Sequence, residues 1–185
     1  MIDTGDRKTI RNPQKHDTDA KTSGYESDIS MIVRISRTLQ DAITGHAMAE
    51  YPYECCGYIT GTDNSATWTA HRSRNIQNEL HADDPVRYPR DARTAYVFDP
   101  ESMERLLGGV FDDPNTRVVG LYHSHPDHPA YFSEKDSEEA LTGWFDPEPF
   151  YFVVSVEAKD VRDIRAFRWL KEKDRFEMLK VEIVG

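Results

Sequence analysis

The sequence predicts an α/β domain built on a mixed central β-sheet flanked by helices. Three observations carry this expectation. Strand-like stretches lie on both sides of helical ones along the chain. One of them, RVVGLYHS (117–124), is a near-continuous apolar run that suits a central strand buried on both faces. Two more, FYFVVSVE (150–157) and IRAFRWL (164–170), are adjacent late strands, which suggests a mixed sheet.

Each element has its own signal. MIVRIS (31–36) carries Ile32, Val33 and Ile35, residues that favour a strand. Ser36 is placed to cap the helix that follows, where Leu39, Ala42, Ile43, Ala47 and Met48 recur at helical spacing until Pro52 ends it. Two short strands come next, near CCGYITG (55–61) and SATWTAH (65–71), separated by the turn-forming GTDN. Residues 72–96 read as a long, polar, irregular segment with Pro85 and Pro89, and a loop of that length in a compact domain is usually functional or mobile. Asp99-Pro100 opens a helix over PESMERLLGGVFDD (100–113), with proline at a first-turn position. A short helix is expected from Ser133 through EKDSEEALTGW, and a last strand near FEMLKVEIV (176–184).

The 185 residues suit one domain with a sizeable core, expected over 31–185. Residues 1–30 hold five basic and six acidic side chains and almost nothing apolar to bury, which reads as a disordered or loosely docked tail. The formal net charge of −10 argues against a sequence-blind nucleic-acid binder, which needs Lys and Arg to displace phosphate counterions. No stretch approaches the roughly 20 apolar residues of a membrane span, and the N-terminus lacks the apolar run of a secretory signal. The two cysteines, Cys55 and Cys56, are neighbours in sequence. Consecutive Cα atoms lie about 3.8 Å apart, below the roughly 4.4 Å minimum usual for a disulfide, so a cytoplasmic setting is expected.

The chemistry concentrates in LYHSHPDHPAYFSEKD (121–136). Side chains two apart on a strand point to the same face, so His123 and His125 can converge on one ion while Ser124 faces away. A catalytic zinc site needs three protein ligands and an open position. Asp136, in the first turn of the next helix, can supply the third, and His128 is another candidate. Ser133-Glu134-Lys135-Asp136 also matches a helix cap followed three residues later by an acid, which needs no metal; both roles are compatible. His128, flanked by prolines, reads as a rim residue.

The pattern His123-x-His125-x7-Ser133-x2-Asp136 resembles the signature of the JAMM (MPN-plus) metalloprotease family, closest to its compact prokaryotic members. Pro52-Tyr53-Glu54-Cys55-Cys56-Gly57 is similar to the stretch where that family places a catalytic glutamate; taken alone, Glu54 reads as a surface acid beside a strand. The resemblance spans about residues 31–185 and implies the MPN, cytidine-deaminase-like mixed-sheet fold. It also implies zinc on His123, His125 and Asp136, with Glu54 as general base and acid and Ser133 as a donor to the oxyanion. The deaminase ligand set H-x-E…P-C-x-x-C is absent, and small buried packing is the more frequent use of cysteines such as Cys55 and Cys56.

The substrate class implied is a ubiquitin-like sulfur-carrier protein or its conjugate, cut after a C-terminal Gly-Gly. Two alternatives stand beside it: an isopeptidase acting on ubiquitin-like–lysine conjugates, and a non-catalytic MPN scaffold, although such scaffolds usually lose ligands. The 72–96 segment can supply a sheet edge or a flap for the extended tail. Its Arg87, Arg90 and Arg93 read as solvated residues, and Tyr88 and Tyr96 as packing residues.

Overall fold

A computed structural model describes residues 31–108, 114–142 and 148–185. The tail expected over 1–30 therefore lies outside the described residues. Seven strands form one mixed sheet in the order β1-β7-β6-β5-β4-β2-β3. They are β1 (Ile32–Ser36), β2 (Cys56–Gly61), β3 (Thr69–Ser73), β4 (Arg117–Pro126), β5 (Phe150–Glu157), β6 (Asp160–Leu170) and β7 (Arg175–Val184). Four helices join them: α1 (Arg37–Glu50), α2 (Gln77–Asp83), α3 (Pro100–Gly108) and α4 (Glu134–Thr142). β4 and β5 run parallel, as do β1 and β7, and the remaining neighbours are antiparallel. The mixed α/β architecture expected from the sequence is thus the one observed. No helix among the described residues is long and apolar enough to cross a membrane.

The sheet is covered on both faces, which explains why its central strands read as apolar runs. Phe152, Val154 and Val156 of β5 join Leu39, Ile43 and Ala47 of α1 in one core, while the alternate residues Tyr151 and Val153 join Phe98, Leu106, Ala140 and Phe167 in the other. The same period of two divides the cysteines: Cys55 belongs to the first core and Cys56 to the second, and both are free and buried. Ser36 caps α1 as expected, its hydroxyl accepting from Leu39 N at 3.1 Å. Asp99 caps α3, accepting from Ser102 N at 3.0 Å, with Pro100 as the first helical residue.

Two segments differ from expectation. The residues 72–96 are not uniformly irregular: β3 continues to Ser73, and α2 occupies Gln77–Asp83. That helix is short and polar, so periodicity does not reveal it; tertiary hydrogen bonds hold it. The strand expected over 65–71 is displaced, because Asn64 Oδ1 accepts from Ala66 N at 3.1 Å and closes a 3-10 turn at Ser65–Thr67 before β3 begins at Thr69. The expected ends of α3 and α4, 109–113 and 143–144, lie outside the described residues.

Gly57 lets β2 pass close to Tyr122 of the neighbouring β4. A Cβ there would strike the Tyr122 ring and the His71 carbonyl, so the backbone must pass without a side chain. Tyr122 in turn places its hydroxyl 3.0 Å from Nδ1 of His46, buried on α1. Burial, with the Arg72 charge second, pushes the His46 pKa down to about 4. Between that value and its ordinary 6.5 the unfolded chain binds a proton that the folded chain does not, so the His46 contribution is present above 6.5 and lost as pH falls towards 4. Chemical denaturation at several pH values between 4.5 and 7 is expected to show stability falling with pH, and His46→Gln, which keeps a polar partner for Tyr122 without titrating, is expected to flatten that slope.

Candidate metal centre

The strand end and the helix start meet. Leu121, His123 and His125 share one face of β4, and seven residues separate the end of the strand from the start of α4, so Asp136 arrives above that face in its first turn. His123 Nε2 lies 3.1 Å from His125 Nε2 and 3.6 Å from Asp136 Oδ1. The three donor atoms all lie within 4.8 Å of one another, and the two histidines are only 3% and 7% exposed. A tetrahedral zinc with ligands at about 2.0–2.1 Å has donor–donor edges of about 3.3–3.4 Å, which these separations straddle. The donor set of two imidazole nitrogens and a carboxylate oxygen is also one that zinc accepts. The residues present therefore fit the ion.

The supporting contacts set the orientation of each donor. His125 Nδ1 lies 3.0 Å from Pro129 O and donates to it, which leaves Nε2 bare and turned to His123. Tyr96 stacks on the His123 ring at 4.9 Å, and Tyr131 meets the His125 ring edge-on at 4.8 Å. Ser133 and Asp136 form a reciprocal cap: Ser133 N and Oγ donate to Asp136 Oδ2 at 2.8 and 2.6 Å, and Asp136 N donates back to Ser133 Oγ at 3.0 Å. The single hydroxyl proton of Ser133 thus serves Asp136, and Oδ1 is left to face His123. Ser124, on the opposite face, accepts from Cys55 N at 2.8 Å and ties β4 to the segment carrying Glu54.

Burial decides the protonation of this cluster. It pushes His123 down to about 4 and His125 below its ordinary value, so both imidazoles are neutral and keep lone pairs. Burial pushes Asp136 up, but the neighbouring His123 and the Ser133 hydrogen bonds outweigh it and hold the carboxyl below its usual range. Glu54, 7% exposed, is pushed up to about 8, by burial first and by the Asp136 charge second. It lines a cavity of about 160 Å³ together with Arg90, Tyr96, His125, His128, Ser133 and Asp136. All five residues expected from the sequence, Glu54, His123, His125, Ser133 and Asp136, therefore meet in one place, with His128 on the cavity wall. Cys55 is pushed up to about 12 and Cys56 well above its usual value by burial, so both stay thiols.

The 72–96 segment forms one wall of the cavity through Arg90, Thr94, Ala95 and Tyr96. Side-chain amides hold it there. Asn75 Nδ2 donates to Glu54 O at 2.9 Å and Ala95 O at 3.1 Å, while its Oδ1 accepts from Gln77 N and Val97 N. Gln77 Nε2 donates to Arg90 O at 2.5 Å, Asn78 Oδ1 accepts from Ala92 N at 2.8 Å, and Glu54 N donates to Ala92 O at 2.7 Å. Tyr96 is the packing residue expected, and what it packs against is His123. Asn75 had no signal in the sequence, where it is one amide among many polar neighbours.

Residues 36–170 match the family model described as prokaryotic homologs of the JAB domain. The chain belongs to this prokaryotic JAB family. It is thus a compact prokaryotic relative of the JAMM proteins that its motif resembles. Among curated relatives, a protein named desampylase from Haloferax volcanii is 29% identical over 149 residues, covering 78% of this chain and 91% of that one. A CysO-cysteine peptidase from Mycobacterium tuberculosis is 26% identical over 137 residues, covering 74% and 82%. Among solved structures, a Salinibacter ruber protein shares the fold with a TM-score of 0.52 at 26% identity, covering 83% of this chain and 92% of that one. A Desulfitobacterium hafniense protein does so at 0.55 and 19%, covering 84% and 94%.

Asn75→Ala removes four hydrogen bonds, one to Glu54 O and three to Ala95 O, Gln77 N and Val97 N in the segment behind the cavity wall. The variant is expected to lose about 1–3 kcal/mol of stability through its unsatisfied partners, and hydrogen exchange is expected to rise at Gln77 and Val97, the two amides that donate to Asn75, ahead of β4. Unchanged exchange at those amides would contradict the role given to Asn75.

Proposed function

We propose that this protein is a zinc-dependent peptidase that hydrolyses the peptide bond after the C-terminal Gly-Gly of a ubiquitin-like sulfur-carrier protein. The observation that carries the reading is the convergence of His123, His125 and Asp136 on one point, with the Glu54 carboxyl lining the same cavity. The names of the curated relatives, desampylase and CysO-cysteine peptidase, support the hydrolytic class, and the second supports a carrier-linked substrate.

His123 Nε2, His125 Nε2 and Asp136 Oδ1 would hold the zinc. When bound, the ion supplies a Lewis acid that makes water nucleophilic near neutral pH. The chain's own residues manage the proton. Glu54 accepts it as the water oxygen bonds to the scissile carbonyl carbon, then delivers it to the nitrogen as the C–N bond breaks, leaving a carboxylate and an amine. A carboxyl that burial raises holds that proton readily, and a cation nearby acts in the opposite direction, favouring the carboxylate needed at the start. Ser133 serves the oxyanion by turning its hydroxyl proton from Asp136 Oδ2 towards the substrate, while its oxygen goes on accepting from Asp136 N. A cavity of about 160 Å³ suits a tail without side chains better than a bulky one.

Glu54→Gln is expected to retain stoichiometric zinc and lose cleavage of a Gly-Gly-linked carrier fusion by at least about 10³-fold. Asp136→Ala is expected to lose the metal itself, read by elemental analysis. Normal turnover by clean, metal-loaded Glu54→Gln protein would remove the mechanism. Mass spectrometry on matched linear and ε-lysine conjugates separates this peptidase from an isopeptidase.

A further inference from the structure

Arg90 stands apart from the other cations of the cavity. Lys135, which lines the cavity from α4, already pairs with Glu139 at 3.4 Å and Glu138 at 3.8 Å along that helix. Arg90 makes no ion pair within 4.0 Å among the described residues; one of its guanidinium nitrogens donates to Thr94 O at 2.8 Å. Its backbone is fixed from below, since Gln77 Nε2 donates to Arg90 O and Ala92 is held from both sides by Glu54 and Asn78. A preorganised guanidinium, exposed to the cavity and lacking a carboxylate partner, is a receptor for one.

Its place relative to Glu54 says which carboxylate. Glu54 delivers the proton to the leaving nitrogen, so that nitrogen must lie beside the Glu54 carboxyl. Arg90 lines the same cavity and is close enough for its charge to oppose the effect of burial on Glu54. In an amino acid the carboxylate carbon lies only about 2.5 Å from its own α-nitrogen. In a lysine joined through its side chain, four methylene groups intervene between the leaving nitrogen and Cα.

We propose that Arg90 is a specificity-determining residue that binds the α-carboxylate of the leaving amino acid, selecting single amino acids joined to the Gly-Gly tail by their α-nitrogen. This rests on the peptidase reading above and deepens it by naming the leaving group's class.

The test is equilibrium binding, which does not require turnover. Acetyl-Gly-Gly-Ala, with its C-terminus either free or amidated, is titrated calorimetrically into metal-replete Glu54→Gln protein. The free acid is expected to bind about tenfold to hundredfold more tightly than the amide. Adding Arg90→Gln is expected to bring the two within about twofold, with zinc content and melting temperature unchanged. Equal affinity for the two peptides, undetectable binding of the acid, or a preference that survives Arg90→Gln overturns the proposal; a surviving preference would assign the carboxylate to the metal or to Lys135. Failure of the unsubstituted protein to hydrolyse any carrier fusion would remove the peptidase reading and leave this binding result standing.

Discussion

Two neutral imidazoles with their Nε2 atoms 3.1 Å apart, buried at the end of a strand and faced by a carboxylate, are the constraint around which the molecule is arranged. Bringing such groups out of water is costly unless something satisfies them. A divalent cation would do so for all three at once. The local fold supplies what the arrangement needs. The period of two along β4 aims both rings the same way, the Pro129 carbonyl fixes one tautomer, and the Ser133 cap turns Asp136 towards them.

The remaining architecture holds these pieces in register. β4 lies between parallel β5 and antiparallel β2, so the histidine backbone is hydrogen-bonded on both edges and cannot shift by one residue without sending the donors into the opposite core. Gly57 permits the close approach of β2 to Tyr122, one residue before His123. Ser124, facing the other way, secures Cys55 and with it the neighbouring Glu54. Glu54 is therefore fixed to the histidine-bearing strand through a side chain on the opposite face of that strand.

Much of this is legible in the sequence, and for identifiable reasons. The histidines follow strand alternation, and Ser133 and Asp136 follow the spacing of a cap, so local rules place them. Helix α1 shows its buried stripe of Leu39, Ile43 and Ala47 directly. Glu54 is different: only the family pattern singles it out, because its 7% exposure arises from the 90–96 segment folding over it. That segment is the least legible part. Its order comes from Asn75, Gln77 and Asn78, amides whose partners lie 13 to 22 residues away in sequence. Neither periodicity nor composition records such pairings. Likewise Ser133 is marked as a cap, but the sequence does not show that its hydroxyl proton goes to Asp136.

X-ray absorption at the zinc edge on metal-replete protein reads the environment of the ion directly. One zinc per chain is expected, with only nitrogen and oxygen neighbours at about 2.0–2.2 Å and the outer-shell scattering of two imidazoles. Sulfur at about 2.3 Å, which would implicate Cys55 or Cys56, or a shell without imidazole scattering, would contradict it.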